Sequence, residues 1–372
     1  MSQPDPPPTM RAVVLTGHGG LDKLAYREDW PTPAPGPGDV LIKVGACGLN
    51  NTDINTRTAW YSKTVTEGIT DAGGKEGFAA ADAATGSWSN KPVAFPRIQG
   101  ADVAGRIVAV GPGVDPGRIG ERVIVDPWLL GGGDWRDPAN TDYFGSECDG
   151  GFADYAKVRA GNALTVETGL SDAELASFPC TLHTAETLVG RTNLQPGETV
   201  VIAGASGGVG TAAVQLCKLR GARVIGIASK PKADLVAELG ADRVIDRDGP
   251  DLEAAIRAAA GGPVEVALDV VGGRMFMPLI NALRQGGRYS SCGAISGPEV
   301  TFDLRQLVYK DLRLTGATIT PPGTMARLVK LIERGRLRPM LAQAFPLREL
   351  AKAQEAFMAK RHVGNIVVTM EG

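Results

Sequence analysis

The glycine-rich segment Gly204-Ala205-Ser206-Gly207-Gly208-Val209-Gly210 constrains the fold of this chain more than any other feature. It follows an apolar run at Thr199–Ala203 and precedes helical periodicity over Val209–Leu219. In a strand–turn–helix of this kind, glycines permit a tight reversal, and the helix N-terminus offers N–H groups to a phosphate. The segment therefore predicts a dinucleotide site whose contacts come from Ser206, Gly207, Gly208, Val209 and Gly210.

Strand and helix signals alternate after this turn. Predicted strands lie at Arg223–Ile227, Arg243–Ile245, Val264–Val270 and Gly287–Ser291, with helices at Lys232–Leu239 and Asp251–Ala260. Alternation at this spacing is typical of a Rossmann domain, a doubly wound parallel sheet covered by helices on both faces. The fold class is therefore α/β in this part of the chain.

The region from Met10 to about Val158 has a different character. Short β-type runs are broken by turns, and the whole chain holds 49 Gly and 25 Pro. We predict strands at Arg11–Leu15, Val40–Val44, Val103–Val110 and Arg122–Val125, which together favour a β-barrel-like domain. The C-terminal stretch is predicted as helices Thr324–Gly335 and Leu347–Lys360 followed by the strand Gly364–Met370.

One weakly patterned insertion, Tyr61–Pro96, interrupts the β-rich region. It is rich in small residues, and long segments of this kind are usually functional or disordered. Two interpretations stay open. The insertion is either a surface excursion or a cover over the substrate cleft, the latter suggested only by Trp60, Tyr61, Phe78 and Trp88.

Composition excludes several classes of protein. The net charge is -2, so the basic excess of a nucleic-acid-binding protein is missing. No apolar run approaches the roughly 20 residues of a membrane-spanning helix. The opening MSQPDPPPT lacks the features of a secretory signal and predicts a disordered tail, and five scattered cysteines favour reduced thiols in the cytoplasm. We expect a cytoplasmic protein that acts on a small molecule.

The end of the second predicted strand bears on the choice of dinucleotide. An NAD site commonly has a carboxylate there, whereas this chain has Ser229, Lys230 and Lys232 and no acid before Asp234. A serine and two lysines would attract the 2′-phosphate of NADPH. The sequence therefore favours NADPH, the alternative being that both lysines belong only to a solvated turn.

Several motifs together resemble one known family. They are Asn50-Asn51-Thr52-Asp53, Gly100-Ala101-Asp102-Val103-Ala104-Gly105, Asp149-Gly150-Gly151-Phe152-Ala153-Asp154-Tyr155, the glycine turn and His362-Val363-Gly364-Asn365-Ile366-Val367. The chain resembles the medium-chain dehydrogenase/reductase superfamily, and within it the zinc-independent quinone oxidoreductase-like branch. The resemblance implies a GroES-like β-barrel catalytic domain (residues 1–180 and 319–372), a Rossmann NADP-binding domain (181–318), an active site in the cleft where they meet, and a dimer or tetramer.

The same resemblance implies which residues line the nicotinamide and its ribose. These are Val270, Val271, Cys292, Gly293 and Ile319. For the two valines, a place in the hydrophobic core is an open alternative.

A catalytic zinc is not expected. Zinc-dependent relatives place a Cys just before a Thr/Ser-Asp pair and a His in a Gly-His-Glu motif, whereas this chain has Asn50 and Ala101 there. Only the third ligand position keeps a thiol, Cys180, and the four-cysteine structural lobe is absent. One thiol and one acid do not hold zinc well, so we predict a metal-free site.

Without a Lewis acid, an activated C=C or a quinone is an easier hydride acceptor than a simple ketone. The first hypothesis is therefore an NADPH-dependent quinone or enone reductase. An alcohol dehydrogenase or ketone reductase of the same superfamily is the second. An NADPH-binding protein with a structural or regulatory role is the third.

Candidate catalytic residues are Asn50, Thr52, Asn55 and His183, with Arg57 as a further donor. Each has a structural alternative: a turn for Asn50, a helix cap for Thr52, a buried structural role for His183. Many members of the branch have a Tyr where this chain has Asn55 and an aromatic residue at the position of Glu186. Trp60, Tyr61, Trp128 or Trp135 are candidates to supply the missing aromatic face.

Overall fold

The computed structural model describes residues 6–82, 84, 87–89 and 91–370 and divides into two compact units. Unit 1 consists of Met1–Val65, Thr70–Cys180 and Pro322–Gly372, and unit 2 of Thr66–Ile69 and Thr181–Pro321. The sequence places the second domain boundary after residue 318, three residues before the boundary in the structure, and it does not indicate that residues 66–69 join unit 2. Residues 1–5 of the predicted tail lie outside the described residues.

In chain order, the strands are β1 (Thr9–Leu15), β2 (Leu24–Pro31), β3 (Asp39–Gly48), β4 (Arg97–Ile98), β5 (Asp102–Val110), β6 (Arg122–Val125), β7 (Trp128–Leu130), β8 (Thr141–Tyr143), β9 (Tyr155–Arg159), β10 (Ala163–Thr165), β11 (Thr199–Ala203), β12 (Arg223–Ala228), β13 (Arg243–Asp246), β14 (Val264–Asp269), β15 (Leu283–Ser291), β16 (Arg313–Gly316), β17 (Leu341–Pro346) and β18 (Asn365–Thr369). The helices are α1 (Asn51–Thr58), α2 (Asp71–Glu76), α3 (Asp172–Leu175), α4 (Pro179–Gly190), α5 (Gly208–Leu219), α6 (Ala233–Glu238), α7 (Leu252–Ala260), α8 (Phe276–Ala282), α9 (Leu304–Tyr309), α10 (Thr324–Glu333) and α11 (Leu350–Met358).

Unit 2 is built on a six-stranded parallel sheet with the order β13-β12-β11-β14-β15-β16. Its central strands β11 and β14 are buried at every residue but one each, Thr199 and Glu265, because helices cover both faces of a parallel sheet. The helices have clear end signals: Asp251 caps α7 by accepting the N–H of Ala254, and Gly261 ends it with a φ of 78°. The predicted α/β class with a doubly wound parallel sheet is confirmed.

Unit 1 is mostly β-structure, as predicted. A seven-stranded sheet has the order β10-β6-β5-β3-β18-β17, with β9 also paired to β3, and smaller sheets are formed by β2-β1-β4 and by β7-β8. The C-terminal strand β18 pairs antiparallel with β3, so the last residues complete the sheet begun near the N-terminus. In the pairing of β3 with β5, Gly48 lies opposite Asp102. This register places the residues that follow β3 beside the start of β5.

No helix of the described residues is both long and apolar enough to cross a membrane.

Candidate functional site

The glycine turn of unit 2 is shaped for close backbone approach. Gly204 has a φ of 72°, and a Cβ there would lie 2.6 Å from Val270 Cγ2 and 2.8 Å from Val271 Cγ2. A Cβ on Gly210 would lie 2.1 Å from the Gly204 carbonyl oxygen, so neither position admits a side chain. Ala205, which replaces a glycine of the usual pattern, has no positive φ and donates its N–H to the Ile227 carbonyl. Because α5 begins at Gly208, within this turn, its first N–H groups are available to a phosphate.

A buried carboxylate that no sequence motif marks organises the neighbouring loop. Asp269, at the end of β14, accepts hydrogen bonds from the N–H groups of Val271 and Gly272 at 2.8 and 2.9 Å and from the Tyr289 hydroxyl at 2.8 Å. Its own carbonyl accepts the N–H of Cys292 at 3.1 Å. These bonds bring together, beside the glycine turn, four of the predicted nicotinamide residues: Val270, Val271, Cys292 and Gly293. Their role toward a cofactor stays a prediction.

The two predicted lysines differ in their surroundings. Lys230 is 83% exposed and lies 3.6 Å from Asp246. Lys232 is half-buried, and burial together with the nearby positive charge of Arg247 lowers its pKa. Arg247 donates its backbone N–H to the Ala228 carbonyl, next to Ser229 at the end of β12. The two cations that lie together at this strand end are therefore Lys232 and Arg247, and Arg247 also forms an ion pair with Asp248 at 3.2 Å. The sequence alone does not reveal Arg247 because it follows β13.

Two further predicted residues also belong to unit 2. His183 is buried in α4 and its carbonyl accepts the Thr187 hydroxyl at 2.9 Å. Ile319 is buried, and the hydroxyl of its neighbour Thr320 lies 2.8 Å from that of Thr187. By contrast, the other three predicted catalytic residues, Asn50, Thr52 and Asn55, lie in unit 1.

A buried polar cluster in unit 1 surrounds Asp102, at the start of β5. Asn50 follows β3 and caps α1, and its Nδ2 donates to Asp102 Oδ2 at 2.9 Å. The backbone N–H of Cys180 donates to the other oxygen of Asp102 at 2.8 Å. Asp53 accepts the backbone N–H of Asn50 at 2.8 Å. Asn50 thus donates hydrogen bonds to two carboxyl groups, to Asp53 through its backbone N–H and to Asp102 through its side-chain amide.

Both carboxyl groups of this cluster titrate far above the ordinary range. Burial raises the pKa of Asp53 to about 7, although the N–H groups of Asn50 and Gly100 oppose the shift. Burial raises the pKa of Asp102 to about 8, and the neighbouring Asp53 adds to the effect. Neither group forms an ion pair with a described residue. A protonated carboxyl is therefore common in this cluster near neutral pH, since charging both would leave two buried, unpaired anions.

A hydroxyl chain lies next to this cluster. The Tyr61 hydroxyl donates to Thr52 Oγ1 at 3.2 Å, and the Asn55 side chain also hydrogen-bonds the Tyr61 hydroxyl. Thr52 and Tyr61 are half-buried, whereas Asn55 is buried. Burial raises the pKa of Tyr61, so its phenol stays protonated at neutral pH. Tyr61, from the turn after α1, thus contacts Asn55 at the position where many members of the branch have a tyrosine; that it replaces that tyrosine stays a prediction.

The expectation that Arg57 is a donor for the substrate is wrong. Its side chain is fully buried and donates to Gln354 Oε1 at 2.8 Å, to the Gly19 carbonyl at 2.8 Å and to the Gly74 carbonyl at 2.7 Å. Burial lowers its pKa to about 10. Arg57 therefore ties the insertion to unit 1 and has a structural role.

The residues at the positions that bind zinc in zinc-dependent relatives do not fit that ion. Zinc needs lone pairs from about three side chains, but Asn50 directs its N–H toward Asp102, and Ala101 has no donor atom. Cys180 is the single thiol there. Within the described ranges, no group of three or more His, Cys, Asp or Glu side chains is arranged to hold a metal ion.

Two family models together match most of the chain. A model of the alcohol dehydrogenase GroES-like domain matches residues 36–168, and a model of the zinc-binding dehydrogenase domain matches residues 208–334. The acryloyl-coenzyme A reductase of Metallosphaera sedula is 29% identical over 370 residues, which covers 97% of this chain and 100% of the relative.

Solved structures extend the likeness. A structure from Sinorhizobium meliloti 1021, provisionally described as an alcohol dehydrogenase, has 44% identity and a TM-score of 0.89, and the match covers 98% of this chain and 97% of that one. The quinone oxidoreductase of Coxiella burnetii has 25% identity and a TM-score of 0.75, with 97% and 99% covered. The relatives thus carry three kinds of activity on one fold.

Proposed function

Because the chain belongs to the medium-chain dehydrogenase/reductase superfamily, and is thus an oxidoreductase, we propose that it is an NADPH-dependent, metal-free reductase of activated carbon–carbon double bonds. The observation that carries the proposal is the cluster of Asn50, Asp102 and Cys180. It puts hydrogen-bonding groups at the positions that bind zinc in zinc-dependent relatives.

The kind of donor present favours a conjugated substrate. Reduction of a simple ketone places a full negative charge on one oxygen, which a metal stabilises well. Reduction at the β-carbon of an enone spreads that charge into an enolate, for which hydroxyl and amide donors suffice. Thr52, Tyr61 and Asn55 offer such donors and no metal ligand set.

The cofactor is assigned to unit 2. The turn from Gly204 to Gly210 and the start of α5 would hold the pyrophosphate, and Ser229, Lys232 and Arg247 would hold the 2′-phosphate. Val270, Val271, Cys292, Gly293 and Ile319 are the proposed neighbours of the nicotinamide end. When bound, NADPH supplies the hydride that reduces the β-carbon.

The chain's own residues would complete the reaction by delivering a proton. Since Tyr61 donates to Thr52 Oγ1, the Thr52 proton can point away from Tyr61 toward a carbonyl oxygen of the substrate. Thr52 would protonate the enolate oxygen while Tyr61 replaces the Thr52 proton, and the enol product would then tautomerise to the saturated ketone. A proton taken up from water would restore the Tyr61 phenol and return the pair to its starting state. Asn50 touches Asp102 and is a positioning residue in this scheme, and His183 receives no assigned role.

A paired assay tests the proposed function. Purified protein is given NADPH and either 3-buten-2-one or butan-2-one, with cofactor consumption and products followed separately. We expect the enone to be converted to butan-2-one, and butan-2-one to be consumed at least about 100-fold more slowly, a difference of about 2.7 kcal/mol in the barrier. Deuteride from labelled NADPH is expected on the β-carbon. Conversion of both compounds to alcohols would overturn the proposal.

That last outcome would support the second candidate, a carbonyl reductase or alcohol dehydrogenase. The specific observation in its favour is the 44% identity to the Sinorhizobium structure provisionally described as an alcohol dehydrogenase. In that case Thr52 and Tyr61 would protonate the alkoxide directly.

We also propose that the protein is a homo-oligomer. In unit 2, Leu304, Val308 and Tyr309 of α9 are 66%, 63% and 73% exposed, an unusual grouping of large apolar side chains. Size-exclusion chromatography with light-scattering detection is expected to give the molar mass of a dimer or tetramer. The mass of a monomer at all protein concentrations would refute this.

A further inference from the structure

We propose that Trp88 of the insertion completes an aromatic wall with Trp128 of β7 and Tyr143 of β8, and that this wall binds a planar apolar substituent of the substrate. The proposal rests on the proposed function and deepens it by naming a substrate class: enones that carry an aryl group. All three residues belong to unit 1.

The three rings pack edge to face. Trp88 lies 5.1 Å from Trp128 and 6.5 Å from Tyr143, and Trp128 lies 4.8 Å from Tyr143, between ring centroids. The interplanar angles are 89°, 70° and 70°. Both indoles are half-buried, so part of each remains accessible, while Tyr143 is buried. A planar guest would meet preformed ring edges and faces, which is the arrangement that aromatic pairs favour.

Glu147 fixes the insertion to this wall. Its Oε2 accepts from Trp88 Nε1 at 3.0 Å and from the Tyr143 N–H at 2.9 Å, and its Oε1 accepts from the Ser89 hydroxyl at 2.9 Å. Trp88 is thus held by a specific hydrogen bond as well as by ring packing. A loop that only crossed the surface would not need this hydrogen bond between Trp88 and Glu147.

The charges around the wall disfavour an anionic guest. Among the described residues, Glu147 accepts hydrogen bonds from neutral donors only, so its carboxylate keeps its negative charge beside the rings. Lys91 lies 3.7 Å from Asp142, and this exposed pair cancels its own charge. The wall therefore offers ring surface next to one carboxylate, which suits an uncharged aryl group better than a phosphate-bearing thioester.

The wall is joined to the polar cluster around Asp102. The Tyr143 hydroxyl forms a side-chain hydrogen bond with Cys180, whose N–H donates to Asp102. An aryl group on the wall would thus lie on the side of the cluster occupied by Cys180. The Trp135 ring lies under the Arg136 guanidinium, 4.7 Å from the ring centroid.

The test compares two enones that differ by a phenyl ring, 4-phenyl-3-buten-2-one and 3-buten-2-one. We expect Trp88→Leu to lower kcat/KM for the phenyl enone about tenfold, the ratio that corresponds to about 1.4 kcal/mol, mainly through KM. The smaller enone is expected to change less than about twofold, as the ring contacts are not available to it. Trp135→Leu is the matched control and is expected to change neither.

Binding of the saturated product, 4-phenylbutan-2-one, is measured by calorimetry so that recognition is separated from turnover. If the product binds and Trp88→Leu weakens it about tenfold while neither enone is reduced, the wall stands and the proposed function fails. If Trp88→Leu lowers kcat/KM equally for both enones, or leaves the phenyl enone unchanged, the wall is refuted. Should Trp88→Leu not fold, Trp88→Phe keeps a ring and is expected to retain most of the preference; loss of the preference there overturns the proposal.

Discussion

Replacing Lys232 with Met gives the sharpest test of how this protein chooses its dinucleotide. Lys232 and Arg247 form the cationic pair at the end of β12, whereas Lys230 is 83% exposed and lies 3.6 Å from Asp246. The two lysines stand in one turn and have the same charge. Their different burial predicts different contributions to binding.

The magnitudes follow from that burial. A charged hydrogen bond to a phosphate from a partly desolvated lysine contributes about 1.5–3 kcal/mol, which corresponds to about 10- to 100-fold in Kd. An exposed lysine already near an acid contributes about 0–1 kcal/mol, or less than about fivefold. Arg247 remains in the Lys232→Met variant, so we expect the Kd of this variant for NADPH to rise by an amount near the lower limit, about tenfold.

The assay is a fluorescence titration of wild type, Lys230→Met and Lys232→Met with NADPH and with NADH. NADH lacks the 2′-phosphate, so neither substitution is expected to change its Kd more than about twofold. The loss of affinity for NADPH caused by Lys232→Met is expected to be smaller at high salt, because salt screens the attraction between the lysine and the 2′-phosphate. Equal losses for both dinucleotides, or a larger effect at Lys230 than at Lys232, would refute the reasoning.

Three further outcomes are expected. Arg57→Met leaves two buried acceptors, Gln354 Oε1 and the Gly74 carbonyl, and the partly buried Gly19 carbonyl without this donor. At about 1–3 kcal/mol for each buried acceptor, urea unfolding is expected to show a loss of at least about 2 kcal/mol; a loss below about 1 kcal/mol contradicts this. Tyr61→Phe is expected to lower kcat for the enone about 100-fold with KM nearly unchanged, and an unaltered kcat would exclude the proton chain. Burial raises the pKa of Asp53 to about 7 and of Asp102 to about 8, so the folded chain holds protons that the unfolded chain has lost, and the free energy of unfolding falls as pH rises from about 4 to about 8. Melting curves are expected to show a smaller fall in melting temperature with pH for Asp102→Asn than for the wild type. An equal fall in both would show that Asp102 is not its origin.

Most of the fold is predictable from the sequence because apolar periodicity marks it directly. The strands Arg122–Val125 and Thr199–Ala203 have the predicted bounds, and α5 differs by one residue at its start. The helix α1 is not predicted. Its sequence, NTDINTRT, is polar, yet six of its eight residues are buried, so it has no apolar stripe to detect.

The site is less predictable because tertiary contacts decide what a polar residue does. Arg57 has the chemistry of a substrate donor, and only its burial shows that its hydrogen bonds are internal. Arg247 is distant in sequence from Lys232, and Asp269 links its own neighbours Val271 and Gly272 to the distant Tyr289; no local motif marks either residue. The sequence suggests Tyr61 only as an aromatic face, but its hydroxyl, directed at Thr52, is what gives it a proposed role.

The claim that hydrogen-bond donors replace a metal is tested most directly by chelation. The purified protein is dialysed against 1,10-phenanthroline and EDTA, its zinc content is determined by mass spectrometry, and enone reduction with NADPH is then measured. We predict less than about 0.1 zinc per chain with activity within about 10% of the untreated protein, since Asn50 is bonded to Asp102, Ala101 has no donor atom and Cys180 alone does not hold zinc. Stoichiometric zinc whose removal abolishes activity, and whose return restores it, would contradict the account.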